Sequence, residues 1–356
     1  MTGAANSGTT SAGCRPDSLP HLFQDMASLS LTPLWEVLGN LVPPQPQSPA
    51  LPWQWHYDDI RAFLMRAGSL ISAEQAERRV LILENPGLPG QSAITPSLYA
   101  GLQLVLPGEV APAHRHAQCA LRFVLEGSGG YTRVDGEPAV MHPFDLVLTP
   151  GGQWHDHGNA SDGPMVWLDG LDIPIVRLFD ASYAEKYREP VYPDSVAGGD
   201  TLARYGQNLR PIRGSSADRR PLAQPLFHYP YAVWRQSLRQ LAAAERPDPH
   251  LGHALEFTNP ADGGSIMPTI SADVRLIPGG FATRPRRTTA GTVVTVVEGA
   301  GEALIGDIRF DLGTRDVFVI PSWCATHFKA RTDLVLFCMS DQSAQQKLSL
   351  FREVNA

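Results

Sequence analysis

Residues 106–116 read Leu-Pro-Gly-Glu-Val-Ala-Pro-Ala-His-Arg-His, and residues 277–287 read Ile-Pro-Gly-Gly-Phe-Ala-Thr-Arg-Pro-Arg-Arg. Each stretch lies in a segment where short apolar runs are broken by Gly, Pro or Asp at intervals of about 8–12 residues. Such spacing is typical of the strands of a β-sandwich or barrel. The sequence therefore predicts a mainly β protein with two β-rich segments, each with a Pro-Gly turn at a matching place.

The two segments look like copies of one another. Three pairs of stretches correspond at an offset of 171 or 172 residues. Self-similarity at a fixed offset indicates a repeated architecture, and we interpret it as a duplicated β-barrel. The pairs are 106–108 with 277–279, 124–127 with 296–299, and 145–150 with 316–321.

The domain organisation follows from length and local composition. A chain of 356 residues exceeds what one core usually holds, which favours two domains. The first residues are rich in Ser, Gly, Thr and Ala, which predicts disorder. Helical patterns occur at 33–39, 57–68, 72–79 and 231–245. We expect disorder over 1–30, a helical arm over 31–79, the first barrel over 80–175, a connector with a helix over 176–250 and the second barrel over 251–345.

Charge and cysteine content exclude several classes of protein. The net charge of −7 offers no basic surface for nucleic acid. The four cysteines are scattered and form no CxxC pair, so neither a zinc knuckle nor a disulfide framework is expected. No secretion signal and no run of about 18 apolar residues is apparent, so we expect a cytoplasmic protein without a membrane span.

Three histidines of the first segment form a candidate metal site. His114 and His116 are separated by one residue on a predicted strand, so both side chains point to the same side. His155 follows two glycines, which permit a tight turn back to the barrel mouth. Three neutral imidazoles with open positions suit iron(II), copper, nickel or zinc. In the second segment only His327 lies near an equivalent position, so we expect a metal-free, structural second barrel.

Two motifs resemble those of cupins. They are the spacing from Gly108 to His114 and the run Pro-x-Gly-x-x-His-x-x-x-Asn over 150–159. The resemblance implies a bicupin, in which two double-stranded β-helix (jelly-roll) barrels follow one another. In many cupins three or four residues separate the second His from a Glu, and this chain has Ala120 and Leu121 at those positions. A three-His site leaves about three positions of an octahedral ion for a bidentate substrate and O2.

A wider set of short runs resembles the gentisate 1,2-dioxygenase family and its salicylate and 1-hydroxy-2-naphthoate relatives. This resemblance implies one ferrous ion per chain, a homotetramer and a small aromatic hydroxy acid as substrate. The implied reaction inserts both atoms of O2 between the carboxyl-bearing and hydroxyl-bearing ring carbons. The runs are 77–81, 85–88, 99–103, 107–109, 114–116, 120–123, 259–261, 267–269 and 321–323.

Arginines are the candidate partners of the substrate carboxylate, because a guanidinium matches a carboxylate with two hydrogen bonds. Arg122 lies six residues after His116, an even separation along what we expect to be one strand, and so shares its side. Arg78 resembles a second substrate arginine of the family, with Arg79 as the alternative. The competing interpretation of Arg122 and of Arg78 is a surface ion pair.

The remaining candidates surround the same cavity. His157 lies two residues past His155 and is expected to act as an acid or base. Asp169 matches a family position near the far edge of the ring. Gln103 and Tyr99 precede the motif strand and are expected to line the pocket.

Residue 101 bears on which ring is accepted. Gly101 is smaller than the Ala that the resemblance associates with gentisate enzymes, which leaves room for 5-nitro- or 5-halosalicylates or a naphthoate. Tyr99 favours gentisate instead.

Two other functional classes compete with ring cleavage. One is a cupin of another metal-dependent class, such as a zinc or nickel isomerase or hydrolase. The other is a bicupin that binds a ligand without catalysis. A three-His site with open positions beside Arg122 argues against a pure binding protein, and metal analysis with O2 uptake separates the enzyme classes.

Overall fold

The structure of the protein is a computed structural model, which describes residues 18–207, 209, 211–212 and 224–355. Two compact units divide the chain, one ending at Gln47 and one beginning at Ser48. Residues 1–17, where disorder is expected, lie outside the described residues. No helix of the described part is both long and apolar enough to cross a bilayer.

The N-terminal unit contains two short helices, α1 (Leu19–Ser28) and α2 (Leu34–Leu41). The prediction of disorder over residues 1–30 is therefore wrong for Leu19–Ser28. Pro20 lies in the first turn, where its fixed φ suits a helix. Phe23 on α1 contacts Trp35 on α2, with their ring centroids 6.5 Å apart.

The second unit contains two antiparallel barrels, so the predicted duplicated, mainly β fold is confirmed. Each barrel is built from one six-stranded and one five-stranded sheet. The first contains β2 (Val80–Ile82), β3 (Tyr99–Val105), β4 (Val110–His116), β5 (Ala120–Glu126), β6 (Gly130–Val134), β7 (Glu137–Met141), β8 (Leu146–Thr149), β9 (His155–Asn159), β10 (Met165–Leu171), β11 (Ala184–Lys186) and β12 (His228–Tyr229).

The second barrel repeats this arrangement. It contains β1 (Trp53–Trp55), β13 (His253–Glu256), β14 (Ser271–Ile277), β15 (Arg286–Thr288), β16 (Thr292–Glu298), β17 (Gly301–Ile305), β18 (Ile308–Leu312), β19 (Val317–Ile320), β20 (Thr326–Ala330), β21 (Leu334–Ser340) and β22 (Glu353–Asn355). The helices of this unit are α3 (Tyr57–Leu70), α4 (Ala73–Ala76), α5 (Ile173–Leu178), α6 (Asp200–Tyr205), α7 (Tyr231–Ala244) and α8 (Gln342–Lys347).

Strand pairing gives the register of the repeat. His114 lies opposite His155 in the first barrel, and Arg286 lies opposite Thr326 in the second. The second barrel therefore has Arg and Thr where the first has two of the predicted metal ligands. Buried apolar side chains of both barrels belong to one continuous core, in which Phe123 stacks on Phe337 at 3.9 Å between centroids. This shared core holds the two barrels together.

The barrels exchange their leading strands. β1 precedes the first barrel in the chain but pairs with β19 of the second, and β12 precedes the second but pairs with β8 of the first. β11 joins the first barrel from the connector, and β22 extends the second beyond residue 345. The predicted boundaries, which placed these segments outside the barrels, are therefore wrong for them. Strands of two or three residues are too short to show an alternating pattern.

Helix α3 links the two barrels through hydrogen bonds to one carboxylate of each barrel. The backbone N–H of Tyr57, at the helix start, donates to Asp316 of the second barrel at 3.0 Å. The Tyr57 hydroxyl donates to Glu126 of the first barrel at 2.8 Å. Arg61, one turn later, donates to both oxygens of Glu126, at 2.6 and 2.7 Å. One helix is thus anchored to both barrels by carboxylates.

Helix α7 repeats this link in the opposite sense. The backbone N–H of Tyr231 donates to Asp145 of the first barrel at 2.8 Å. Arg235 donates to both oxygens of Glu298 of the second barrel at 2.8 Å, and the Tyr231 hydroxyl also donates to Glu298. The Tyr-x-x-x-Arg pattern and its Glu therefore occur in both halves of the repeat. We call the pair, α3 on Glu126 and α7 on Glu298, the reciprocal clamps.

Removing one clamp carboxylate is expected to destabilise the protein. Hydrogen bonds to a charged group contribute about 1.5–3 kcal/mol each. The amide oxygen of a glutamine can still accept part of these hydrogen bonds, so Glu298→Gln should lower the free energy of unfolding by about 1–3 kcal/mol. Chemical denaturation measures the change. Glu302→Gln is the matched control, because Glu302 pairs with the exposed Arg309 on the same barrel. Equal effects of the two substitutions would contradict the clamp.

Candidate active site

The three predicted metal ligands lie together in the first barrel. His114 and His116 come from the end of β4, and His155 opens β9 opposite His114. One ligand atom of each residue lies within 4.8 Å of the others, and no other such group of three occurs among the described residues. The ring of His155 lies 4.0 Å from that of His114 and 4.8 Å from that of His116, centroid to centroid. The strand pairing thus brings the triad together.

The backbone fixes the orientation of the three imidazoles. Each Nδ1 faces a main-chain carbonyl two residues away, and these belong to Pro112, Gln118 and Gln153 at 3.2, 2.9 and 2.9 Å. For His116 and His155, a proton on Nδ1 leaves Nε2 with the lone pair that a metal requires. Nε2 of His155 is buried without a hydrogen-bond partner. Burial lowers the pKa of His116 to about 4 and that of His114 to about 2, which keeps the rings neutral.

A glycine loop holds the two ligand strands at this distance. The N–H of Gly152 donates to the carbonyl of His116 at 2.7 Å, and Gly152 has a φ of +81° that favours glycine. A Cβ on Gly151 would lie 2.4 Å from the carbonyl oxygen of Ala117. The close approach of the loop to the end of β4 therefore requires both glycines.

Arg122 lies on a different strand from the predicted one. The strand ends at His116 and a new strand begins at Ala120, in the other sheet of the barrel. The prediction that one continuous strand carries His116 and Arg122 is therefore wrong, because residues 117–119 interrupt it. Arg122 is nevertheless buried near the triad, where its charge adds to the effect of burial in lowering the pKa of the three candidate ligand histidines.

Two neighbours surround the Arg122 guanidinium. Nη1 donates to the Thr149 hydroxyl at 2.6 Å, and Nε lies 3.4 Å from a carboxylate oxygen of Asp169. The Trp167 indole N–H donates to the same Asp169 oxygen at 3.0 Å. Burial lowers the pKa of Arg122 to about 10 and raises that of Asp169 to about 6. The site therefore contains buried positive charge that the protein compensates only in part.

The structure distinguishes the two candidate arginines of residues 78–79. Arg79 donates to both oxygens of Glu109, at 2.9 and 2.7 Å, and to the carbonyl of Ile71. Arg78 instead contacts the His114 ring, with Nη2 against Nδ1 and 2.6 Å from Nε2, and it lies near enough to Asp169 to feel the charge of that carboxylate. Arg79 thus belongs to a structural ion pair, and Arg78 belongs to the candidate site.

His157 lies on β9 beside the triad and is fully buried. Its Nδ1 lies 2.9 Å from the Thr132 hydroxyl, and its Nε2 has no hydrogen-bond partner. The ring packs 5.6 Å from those of His155 and Trp167. Burial, with the nearby Arg122, holds the pKa of His157 well below its usual value. A neutral imidazole with a free Nε2 is suited to proton transfer.

Tyr99, Gly101 and Gln103 lie on β3 next to β10, where Gly101 pairs with Asp169 and Gln103 with Trp167. A Cβ on Gly101 would lie 2.6 Å from Val80 Cγ1 and 3.0 Å from the Tyr99 hydroxyl. The expectation that the missing methyl leaves open room is therefore wrong, because Val80 and Tyr99 fill that space. Any effect of residue 101 on the pocket acts through these two neighbours.

Three further residues of the site escaped the sequence analysis: Thr132, Thr149 and Trp167. They bond to His157, Arg122 and Asp169 respectively. Comparison of the two copies would have indicated the first two, since the second barrel has Ala303 and Ile320 at their positions.

The comparisons with known proteins agree with this geometry. The cupin domain family matches residues 101–171, which contain the triad. Gentisate 1,2-dioxygenase 1 of Aquipseudomonas alcaligenes is 50% identical over 331 residues, covering 93% of this chain and 94% of that protein. The chain belongs to the gentisate and salicylate 1,2-dioxygenase family.

Two other members of this ring-cleaving dioxygenase family widen the comparison. The 5-aminosalicylate 1,2-dioxygenase of a Comamonas species is 36% identical, covering 95% of this chain and 91% of that protein. The crystal structure of salicylate 1,2-dioxygenase from Pseudoaminobacter salicylatoxidans, solved as an adduct with gentisate, superposes with a TM-score of 0.88 at 34% identity. It covers 98% of this chain and 97% of that one, so the bicupin architecture extends over nearly the whole chain.

Proposed function

We propose that this protein is an iron(II)-dependent dioxygenase that cleaves the ring of a 2-hydroxybenzoate between the carboxyl-bearing and hydroxyl-bearing carbons. Gentisate is the substrate that we favour, because the relative with 50% identity is a gentisate 1,2-dioxygenase. Both atoms of O2 enter the product. The observation that carries the proposal is a three-histidine site whose immediate neighbours include two arginines, Arg78 and Arg122.

The charges of the site match an anionic chelating ring. His114, His116 and His155 would hold the iron, which supplies O2 activation and an attachment point for the carboxylate and phenolate. Arg122 lies buried beside the triad and can neutralise the substrate carboxylate, with Arg78 as a second positive partner. The substrate anion would balance buried charge that Asp169 alone leaves uncompensated.

Proton transfer is assigned to His157. Its buried Nε2 has no hydrogen-bond partner and can accept a proton from the substrate hydroxyl and return it to the cleaved product. Asp169, held by Trp167, faces Arg122 and offsets part of its positive charge. Gln103 and Tyr99 are proposed to contact the ring, since both lie on the strand that pairs with that of Asp169.

Further features of the proposal come from the family resemblance. We expect one ferrous ion per chain, because Arg286 and Thr326 occupy the positions of His114 and His155 in the second barrel and no second ligand group occurs among the described residues. We also propose a homotetramer that works in the cytoplasm.

A panel of ring substrates tests the proposal. Purified protein is loaded with ferrous iron without air, and O2 uptake is then measured with gentisate, 5-nitrosalicylate, salicylate and 1-hydroxy-2-naphthoate. We expect one O2 consumed per ring cleaved. Metal-dependent hydrolysis or isomerisation without O2 uptake, or binding without turnover, would contradict ring cleavage.

Gly101→Ala tests the wall of the pocket. The added methyl must displace Val80 or the Tyr99 hydroxyl, which should alter the fit of the ring. A change of this size discriminates substrates by about 10–200-fold. We expect the ratio of kcat/KM for gentisate over 5-nitrosalicylate to change within that range while iron content stays constant. An unchanged ratio would place the specificity wall elsewhere.

A further inference from the structure

Thr149 makes a short hydrogen bond to the arginine that the proposed function assigns to the substrate carboxylate. It ends β8 and is fully buried. Its Oγ1 lies 2.6 Å from Nη1 of Arg122. A guanidinium can only donate, so the hydroxyl oxygen accepts, and the charge of the donor strengthens the bond.

The bond to Thr149 holds the guanidinium in place. On the other side, Nε of Arg122 lies 3.4 Å from Asp169 and has no hydrogen-bond partner. Within the part of the chain that the structure describes, the side chain of Arg122 makes its one hydrogen bond to Thr149. The hydroxyl therefore determines how the planar group is turned about its long axis.

The second barrel shows that the barrel itself does not need this pair. Arg122 lies opposite Asp169 on β10, and in the second barrel Val294 lies opposite Cys338 on β21. Thr149 lies opposite the first residue of β5, and Ile320 occupies the same place in the second copy. Val294 and Cys338 are fully buried in an apolar cluster, and Ile320 packs against it. The copy without a metal site thus lacks the arginine and the hydroxyl together.

We propose that Thr149 is a positioning residue that orients the Arg122 guanidinium toward the carboxylate of the bound ring. The inference rests on the proposed function, because it assigns Thr149 a role through the substrate-binding arginine. Without the hydroxyl, a buried Nη1 loses its acceptor and the guanidinium turns toward other acceptors. Carboxylate binding should weaken, while iron binding, which needs only the three histidines, should not change.

Binding without turnover provides the test. Iron-loaded protein is titrated in the absence of O2 with salicylate, and separately with catechol, which chelates a metal but has no carboxylate. Thr149→Val preserves shape and removes the hydroxyl, and Thr149→Ser restores it. We expect Thr149→Val to weaken salicylate binding about 10- to 100-fold and catechol binding by less than about 2-fold. With gentisate and O2, KM should rise more than kcat falls.

Thr295→Val is the matched control. Thr295 is a fully buried threonine on β16 of the second barrel, and its hydroxyl has no hydrogen-bond partner. The Thr295→Val variant should bind salicylate and catechol as the wild type does, and Thr149→Ser should do the same. In an Arg122→Met background, Thr149→Val should add no further loss, because the two residues act as one unit. Thr149→Ala repeats the test if the valine variant folds poorly.

The outcomes separate this inference from the proposed function. Equal weakening of salicylate and catechol by Thr149→Val would mean general damage to the site and would overturn the positioning role. Unchanged salicylate binding would overturn it as well, with the proposed function intact. A wild-type protein that binds neither gentisate nor salicylate would overturn the proposed function, and the inference with it.

Discussion

His155→Ala is expected to abolish metal binding and with it all ring cleavage. His155 is the proposed ligand on the second strand, since it lies opposite His114 on β9 while the other two proposed ligands share β4. Its loss leaves two imidazoles, and two neutral ligands on a single strand do not define a closed site. Iron per chain, measured after anaerobic loading and desalting, should fall from about one to nearly zero, with turnover below detection.

The control for this substitution lies in the second barrel. His327 is the histidine nearest to the position equivalent to His155, and its own strand neighbour Thr326 occupies that position. His327→Ala should therefore keep about one iron per chain and normal turnover. Two irons per chain in the wild type would contradict the conclusion that the second barrel has no metal site. A His155→Ala protein that still binds one iron would contradict the triad.

The sequence predicted those parts of the site that local patterns encode. Two histidines separated by one residue share a side on any strand, and the glycines before His155 permit a tight turn. Both features are confirmed in the geometry of β4, β9 and the loop at Gly152. The duplicated barrel was equally accessible, because a constant offset between two β segments needs no knowledge of contacts.

Contacts between distant residues were not accessible in this way. The exchanged strands β1 and β12 have three and two residues, too few for a periodic signal. The reciprocal clamps join residues more than sixty positions apart in the chain. Arg122 was assigned to the right cavity by a wrong argument, because residues 117–119 end one strand and start another in a different sheet.

The room near Gly101 shows a second limit of sequence reasoning. A missing methyl group leaves space only where neighbouring side chains do not occupy it. At Gly101 that space is filled by Val80 and the Tyr99 hydroxyl. The composition of a pocket can be read from a strand, but its shape depends on the side chains of the adjacent strand. The choice between Arg78 and Arg79 was of the same kind, since it depends on the position of Glu109.

His157→Ala is expected to keep the iron and to lose most of kcat. General acid–base groups contribute about 10²–10⁴-fold, and His157 is the buried imidazole beside the triad whose Nε2 remains free. Stopped-flow turnover with gentisate measures the loss, and iron analysis of the same sample measures retention. His253→Ala is the matched control, because His253 is also a buried histidine with an unpartnered ring nitrogen, but on β13 of the second barrel. It should keep normal kcat. If His157→Ala loses iron together with activity, His157 is a ligand or supports one, and its assignment to proton transfer is wrong.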